Sequence, residues 1–272
     1  KSADKAAVRI AMTVVVPGEE LEGLLGNIAS ENGLDTDEPT VRLEVYSGTI
    51  AASLRLGADL HLTKALLANL PLAQMGVKLH GGGFLLEEAD ARRRLAASPQ
   101  LATRIRPFVN GRDLAAAPRN LWVIDLFGLS ETELSNQFPE LYQFVRDRVK
   151  TERDQNNRET YRKYWWVWGE PRREWRSVSM NLDRFIVTVR TAKHRIFQFL
   201  EKEFVPESTN VAVALSDGPS LAVLSSQIHC LFAVKKGGWL GVGNDPRYLH
   251  AECFNPFPFP DLSDKPALKA RL

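Results

Sequence analysis

The chain has 272 residues, of which 44% are hydrophobic and 25% charged, with 35 basic against 33 acidic side chains. That length suffices for one large domain or two small ones with a real core, and the balance excludes disordered, collagen-like and fibrous classes. The net charge of +2 argues neither for nor against a polyanionic partner, yet it hides an uneven spread: residues 1–50 hold 4 basic and 9 acidic side chains, and residues 146–195 hold 14 and 7. A basic stretch of this kind makes a local positive field.

In chain order, the β-branched run at 7–16 and the alternating run at 40–47 predict two strands. Between them, seven carboxylates and no base from Glu19 to Glu38 predict a solvated acidic connector. The leucine spacing from Asp59 to Leu72 predicts a helix, Gly76 to Phe84 a short strand entering a glycine turn, and Glu87 to Ala97 a helix. Ile105 to Leu114 reads as extended chain and then a turn, with Asn110-Gly111 supplying positive φ. Leu121 to Phe127 is the strongest buried strand.

Ser130 and Glu133 form a capping-box signature, and the pattern that follows from Leu134 predicts one helix to about Glu159. Arg184 to Val189 and Asn210 to Leu215 read as strands, Phe197 to Phe204 as a short helix, and Pro219 to Val234 as a helix or helix pair. The expected class is α+β, with mixed or antiparallel sheets and flanking helices.

Two cysteines, Cys230 and Cys253, are too few for a disulfide framework and predict reduced thiols in a cytoplasmic protein. No apolar run reaches the eighteen or so residues a membrane span needs. The start at Lys1, without an initiator Met or a signal-peptide apolar region, reads as a piece of a longer protein.

The stretch from Lys150 to Arg176 sets Arg153, Arg158, Arg162 and Lys163, with further arginines, around Trp165, Trp166, Trp168 and Trp175. Cations neutralise phosphates, while Asn, Gln and Tyr reach bases or sugars, so the mixture suits a nucleic-acid face. The competing reading makes the tryptophans core anchors and the arginines a solvated face. Lys235 and Lys236 open a glycine-rich loop running to Tyr248, which can bring backbone amides near a phosphate. It lacks the third glycine and the downstream length of a dinucleotide-binding unit. Asn255-Pro256-Phe257-Pro258 has the wrong order for a catalytic Asn-Pro-Pro-aromatic motif. His229, Cys230, His250 and Cys253 make no four-ligand zinc pattern, and no nucleophile elbow or Walker loop is present. No catalytic residue and no metal ligand is assigned.

An ordered set of motifs resembles the target-recognition and C-terminal portion of large single-chain adenine-N6 DNA methyltransferases of the MmeI-like, type IIL restriction-modification family. The set comprises Gly81-Gly82-Gly83-Phe84, Ile105 to Asp113, Pro118 to Asp125, Val149 to Arg176, Leu224 to His229, and Asp245-Pro246-Arg247-Tyr248 leading to Cys253-Phe254-Asn255-Pro256-Phe257-Pro258-Phe259-Pro260.

The resemblance implies a parent enzyme that uses S-adenosylmethionine, with no cofactor held by this segment. Double-stranded DNA and the parent's own methyltransferase domain are the implied partners. Residues 1–50 would be the end of the methyltransferase domain, 51–262 the recognition domain and 263–272 a tail. Within the family picture Asn244, Asp245 and Arg247 read bases, Arg106, Asn110 and Arg112 clamp backbone or bases from a second loop, and Arg153, Arg158, Arg162 and Lys163 contact phosphates. Lys235, Lys236 and Tyr248 join the DNA-facing set. The rival reading is a protein-interaction module docking through the tryptophans and Phe254, Phe257 and Phe259.

Overall fold

The computed structural model describes residues 12–14, 22–33, 36–51, 54, 56, 59–240, 245–261, 264, 265 and 267. The chain divides into two units, residues 1–64 and 65–272. The strands of the first are β1 (Gly23–Asn32) and β2 (Thr40–Gly48). Those of the second are β3 (Ala73–Met75), β4 (Leu85–Leu86), β5 (Ile105–Val109), β6 (Trp122–Ile124), β7 (Arg184–Val189), β8 (Phe197–Glu201), β9 (Val205–Pro206), β10 (Asn210–Val213), β11 (Trp239–Leu240) and β12 (Asp245–Pro246).

In the first unit β1 and β2 pair antiparallel, from Gly23 opposite Gly48 to Asn32 opposite Thr40, with a register shift between Ile28 and Ser30. The acidic connector is therefore corrected: much of it is strand, because Leu24, Leu25 and Ile28 supply strand-forming side chains between its charges. Of the strand expected at 7–16, residues 12–14 are not strand and the others lie outside the described residues. The helix expected over Asp59 to Leu72 is also corrected, since the first unit has only a 3-10 turn at Leu60–Leu62.

The rest of that leucine-rich segment belongs to the second unit and is a run of turns. The buried Asn69 amide donates to the carbonyls of Phe254, Asn255 and Phe257 at 3.3, 3.2 and 2.9 Å, and Leu66 N donates to Asn255 O. Long-range bonds to the C-terminal segment thus replace the local helical ones that the periodicity favoured.

The second unit holds two four-stranded sheets. One runs β4-β6-β5-β9, antiparallel except for the parallel β5–β9 pair, and the other runs β3-β10-β7-β8, antiparallel throughout. This is the α+β arrangement the sequence predicts. Val77 and Lys78 make isolated bridges to Glu207 and Glu170, not the strand expected from Gly76. Helix α1 (Glu88–Ala97) stands where the acids and arginines place it. Asn110 caps α2 (Gly111–Ala115) at φ −109°, so the expected positive-φ turn is a helix start.

The capping box of Ser130 and Glu133 opens α3 (Glu131–Gln137) as read from the sequence. The single long helix is corrected at Pro139, whose ring removes a donor and starts α4 (Pro139–Val145) as an N-terminal proline. A π-helical turn at Arg146–Lys150 leads into α5 (Thr151–Asp154), and α6 (Glu159–Lys163) is separate. Gly83 fixes this packing: a Cβ there would stand 2.6 Å from Val149 Cγ2 and 2.9 Å from Arg148 O of the π turn. Helices α7 (Arg173–Ser179), α8 (Gly218–Ser225) and α9 (Gln227–Lys236) follow, the last two being the predicted pair.

The helix expected at Phe197 to Phe204 is strand β8. Its residues pair with β7 from Thr188 opposite Phe197 to Arg184 opposite Glu201, and period-2 alternation sends Phe197 and Leu200 into different apolar clusters. The main core joins the first sheet to α3–α5 through Trp165, Trp166 and Trp168, and a second lies under β3, β10 and β7 around Tyr248, Cys253 and Phe254.

Candidate nucleic-acid interface

Of the residues read as base contacts, Asp245 and Arg247 sit where three backbone segments meet. Thr191, just past β7, bridges to Arg247, and Tyr248 N donates to Arg190 O at 2.6 Å. Arg190 N donates in turn to Thr209 O at 2.7 Å, before β10. Arg247 N donates to Gly238 O at 2.8 Å, at the base of the β11–β12 hairpin. The described ends of the glycine-rich loop thus pair antiparallel. At Gly237 a Cβ would fall 2.3 Å from Arg247 O, so the glycine permits a close backbone crossing. Arg195 locks the base of the site by donating to Thr188 Oγ1, Val189 O and Pro246 O.

Arg247 and Asp245 are half-buried at this hairpin, and Asn244 lies outside the described residues. The Arg247 Nε is buried with no hydrogen-bond partner. Its neighbour Tyr248 is 0% exposed, with Oη 2.9 Å from His229 Nε2 and the Phe197 ring edge-on at 5.5 Å. Burial drives the Tyr248 phenol well above its usual range, so it stays neutral. Tyr248 is therefore corrected from DNA contact to core anchor for the hairpin.

A second basic surface belongs to α6. Arg158, Arg162 and Lys163 are exposed there as predicted. Arg158 lies over the Tyr161 ring at 5.5 Å, Lys163 over Tyr164 at 5.5 Å, and Arg162 Nη1 donates to Asn156 O. Arg112 is exposed on the first turn of α2 and Lys235 near the end of α9.

Several predicted contacts are taken up by the fold. Arg153 is 2% exposed, donates from Nη2 to Leu79 O at 2.8 Å and stacks on Tyr161 at 4.7 Å. The cause is its place on the inner side of α5, which charge patterning does not reveal. Arg106 donates to the carbonyls of Lys202 and Glu203 and pairs with Asp125 at 3.5 Å; burial is the largest influence on its guanidinium and lowers its pKa. Asp125 also binds Arg176 at 2.8 Å, which makes it a structural partner of two arginines.

Asn110 Oδ1 accepts from the backbone of Arg112 and Asp113, so that atom is spent on the cap. Lys236 is buried beside Glu252 at 3.5 Å. The tryptophans take the core reading: Nε1 of Trp165, Trp166 and Trp168 donates to Glu131 Oε1, Leu129 O and Ile124 O. Phe254 and Phe257 are buried and Phe259 is half-buried, so the surface required by the protein-interaction reading is not there.

Sequence reasoning missed Arg190 as a site residue. It follows a buried strand, and only the pairing of β7 with β10 and the 247–248 segment brings it beside Arg247. Among the described residues no group of three or more His, Cys, Asp or Glu could hold a metal ion, and no helix is long and apolar enough to cross a membrane.

Residues 61–261 match the family model described as the MmeI target recognition domain. Among solved structures, the chain resembles the type IIL restriction-modification enzyme MmeI in complex with DNA, with a TM-score of 0.64 and 16% identity, covering 92% of this chain and 32% of that one. It thus spans about a third of that enzyme's length. A search of the curated proteins found no match. With about three-quarters of its residues inside the family model, and with a fold shared over almost its full length, the chain belongs to the MmeI target recognition domain family.

Proposed function

We propose that this chain reads the base sequence of double-stranded DNA and presents it to the methyl-transfer domain of a larger adenine-N6 DNA methyltransferase of the restriction-modification type. The observation that carries the reading is the placement of Arg247, half-exposed on a hairpin pinned by a buried tyrosine, within a chain of a target-recognition family. Arginine binds the O6 and N7 of guanine bidentately, and the acceptor on Asp245 suits cytosine N4. Asn244 suits adenine. The exposed cations of α6, with Arg112 and Lys235, would hold phosphates and set the register.

S-adenosylmethionine is the methyl donor this reading implies for the parent, but the residues present do not fit it. Among the described residues of the glycine loop, β11 pairs with β12 and the space beside Gly237 is taken by Arg247 O, an arrangement unlike the strand–turn–helix that cradles a cofactor. No step is therefore assigned to this chain beyond binding and orienting DNA. The first unit is read as the end of the methyltransferase domain, and the free thiols of Cys230 and Cys253 fit a cytoplasmic site of action.

The test is selection from a randomised duplex library with the whole chain. One enriched motif is expected, with affinity falling roughly a thousandfold between 50 and 200 mM salt if six or more phosphates are held. Binding without an enriched motif, or no binding, would overturn the reading.

A further inference from the structure

Cations from segments far apart in sequence gather around Arg190. Arg190 lies within electrostatic range of both Arg247 and Arg172, and His250 within range of Arg172 and Arg190. Arg172 and His250 line an open cleft of about 400 Å³ with Gln74 and Met75. Arg190 borders it, donating from Nη1 to Met75 Sδ at 2.8 Å and Ser208 O at 3.2 Å.

The acids around this cleft are engaged. Glu174 accepts from Gln74 at 3.1 Å, and Glu207 from the hydroxyls of Ser208 and Thr209. Glu170 is shared by Lys78 at 2.9 Å, His80 at 3.6 Å and Arg172 at 2.6 Å. Cations remain in excess. Arg172 Nη2 is buried against Glu170 Oε2 at 2.6 Å, while Arg247 Nε is buried with no hydrogen-bond partner.

Arg172 is also strained. Its backbone is left-handed, φ 58° and ψ 62°, and Nε is tied to Gly76 O at 3.0 Å. An arginine keeps such a conformation only where the surrounding structure enforces it, and strain of this kind concentrates at ligand clamps. Convergent guanidiniums on an open cleft whose carboxylates are occupied suit a ligand that brings anionic acceptors. A base edge brings none.

We propose that Arg172 and Arg190, with His250 beside them, hold one backbone phosphodiester of the DNA next to the base pair read by Arg247. The assignment rests on the DNA-reading function above. It makes Arg172 and Arg190 register-setting contacts that act on every sequence alike.

The experiment compares the whole chain with R172N, R190Q, their double variant and R172K on the selected duplex and on an unrelated one, by anisotropy from 50 to 200 mM salt. Asparagine tolerates the left-handed backbone, and a melting curve for each variant establishes that it folds. R172N and R190Q are each expected to weaken both duplexes by the same factor, about tenfold, and the two together to lower the salt slope by about 0.9, since they share one phosphate. R172K, which keeps the charge, is expected to retain the slope. Unchanged affinity in whichever of R172N and R190Q folds, an unchanged slope in a folded double variant, or a loss confined to one base pair, would overturn the clamp. Absence of duplex binding by the unsubstituted chain would instead overturn the reading beneath it.

Discussion

Tyr248 Oη and His229 Nε2 share a buried hydrogen bond of 2.9 Å that joins the segment after β12 to α9. Neither residue is exposed, and the other imidazole nitrogen, Nδ1, has no partner. Burial, aided by the Arg195 charge, pushes the His229 pKa down to about 4.

The pH dependence follows from that depression. Unfolded histidine takes a proton near pH 6.5 and the folded one near 4, so stability is full above about 6.5 and is lost as pH falls through that window. The loss is roughly 3 kcal/mol. Urea denaturation at pH 7 and pH 4.5 should show it in the parent chain and not in H229Q, and an equal decline in both would contradict it. Y248F should cost about 1–2 kcal/mol at pH 7.

Asp113 is a second buried hub. It accepts from Arg119 Nε and Nη2, both at 2.8 Å, and from Asn110 N at 2.8 Å. The Arg119 guanidinium leads the causes that hold its pKa at about 2. A depressed carboxylate stabilises the fold above its unfolded value and loses that contribution as pH falls from about 4 through 2. D113A removes the cap partner and the acceptor of the exposed Arg119, and about 1–2 kcal/mol of stability should go with it in thermal denaturation.

Arg247 separates reading from holding. R247A should lose roughly 1–3 kcal/mol of discrimination at one base pair while the rest of the selected motif persists. Repeating the library selection with the variant measures this, and uniform weakening at every position would make Arg247 a phosphate contact instead.

The α6 cations should behave in the opposite way. R158Q, R162Q and K163Q are each expected to lower the salt slope by about 0.9 and to weaken selected and unrelated duplexes alike. Salt-titrated anisotropy decides, and an unchanged slope in all three would move the phosphate-holding surface away from α6.

Much of this was open to reading from local chemistry. The Ser130–Glu133 box, the buried β6 and the α8–α9 pair depend on neighbours within a few residues, and there propensity and packing agree. Reading failed where distant contacts took over: the leucines of 59–72 look helical until Asn69 binds the 254–257 carbonyls, and Phe197 to Phe204 looks helical until β7 pairs with it along its length.

The site divides in the same way. By itself the sequence determined the α+β class, the family through an ordered set of motifs, and a basic stretch with exposed Arg158, Arg162 and Lys163. Only the tertiary structure decided that Arg153, Arg106 and Tyr248 are spent on the fold, and that Arg190 stands within electrostatic range of both Arg172 and Arg247. A charge count does not record which side of a helix faces the core, nor which strand ends meet across a sheet; burial and long-range pairing settle both.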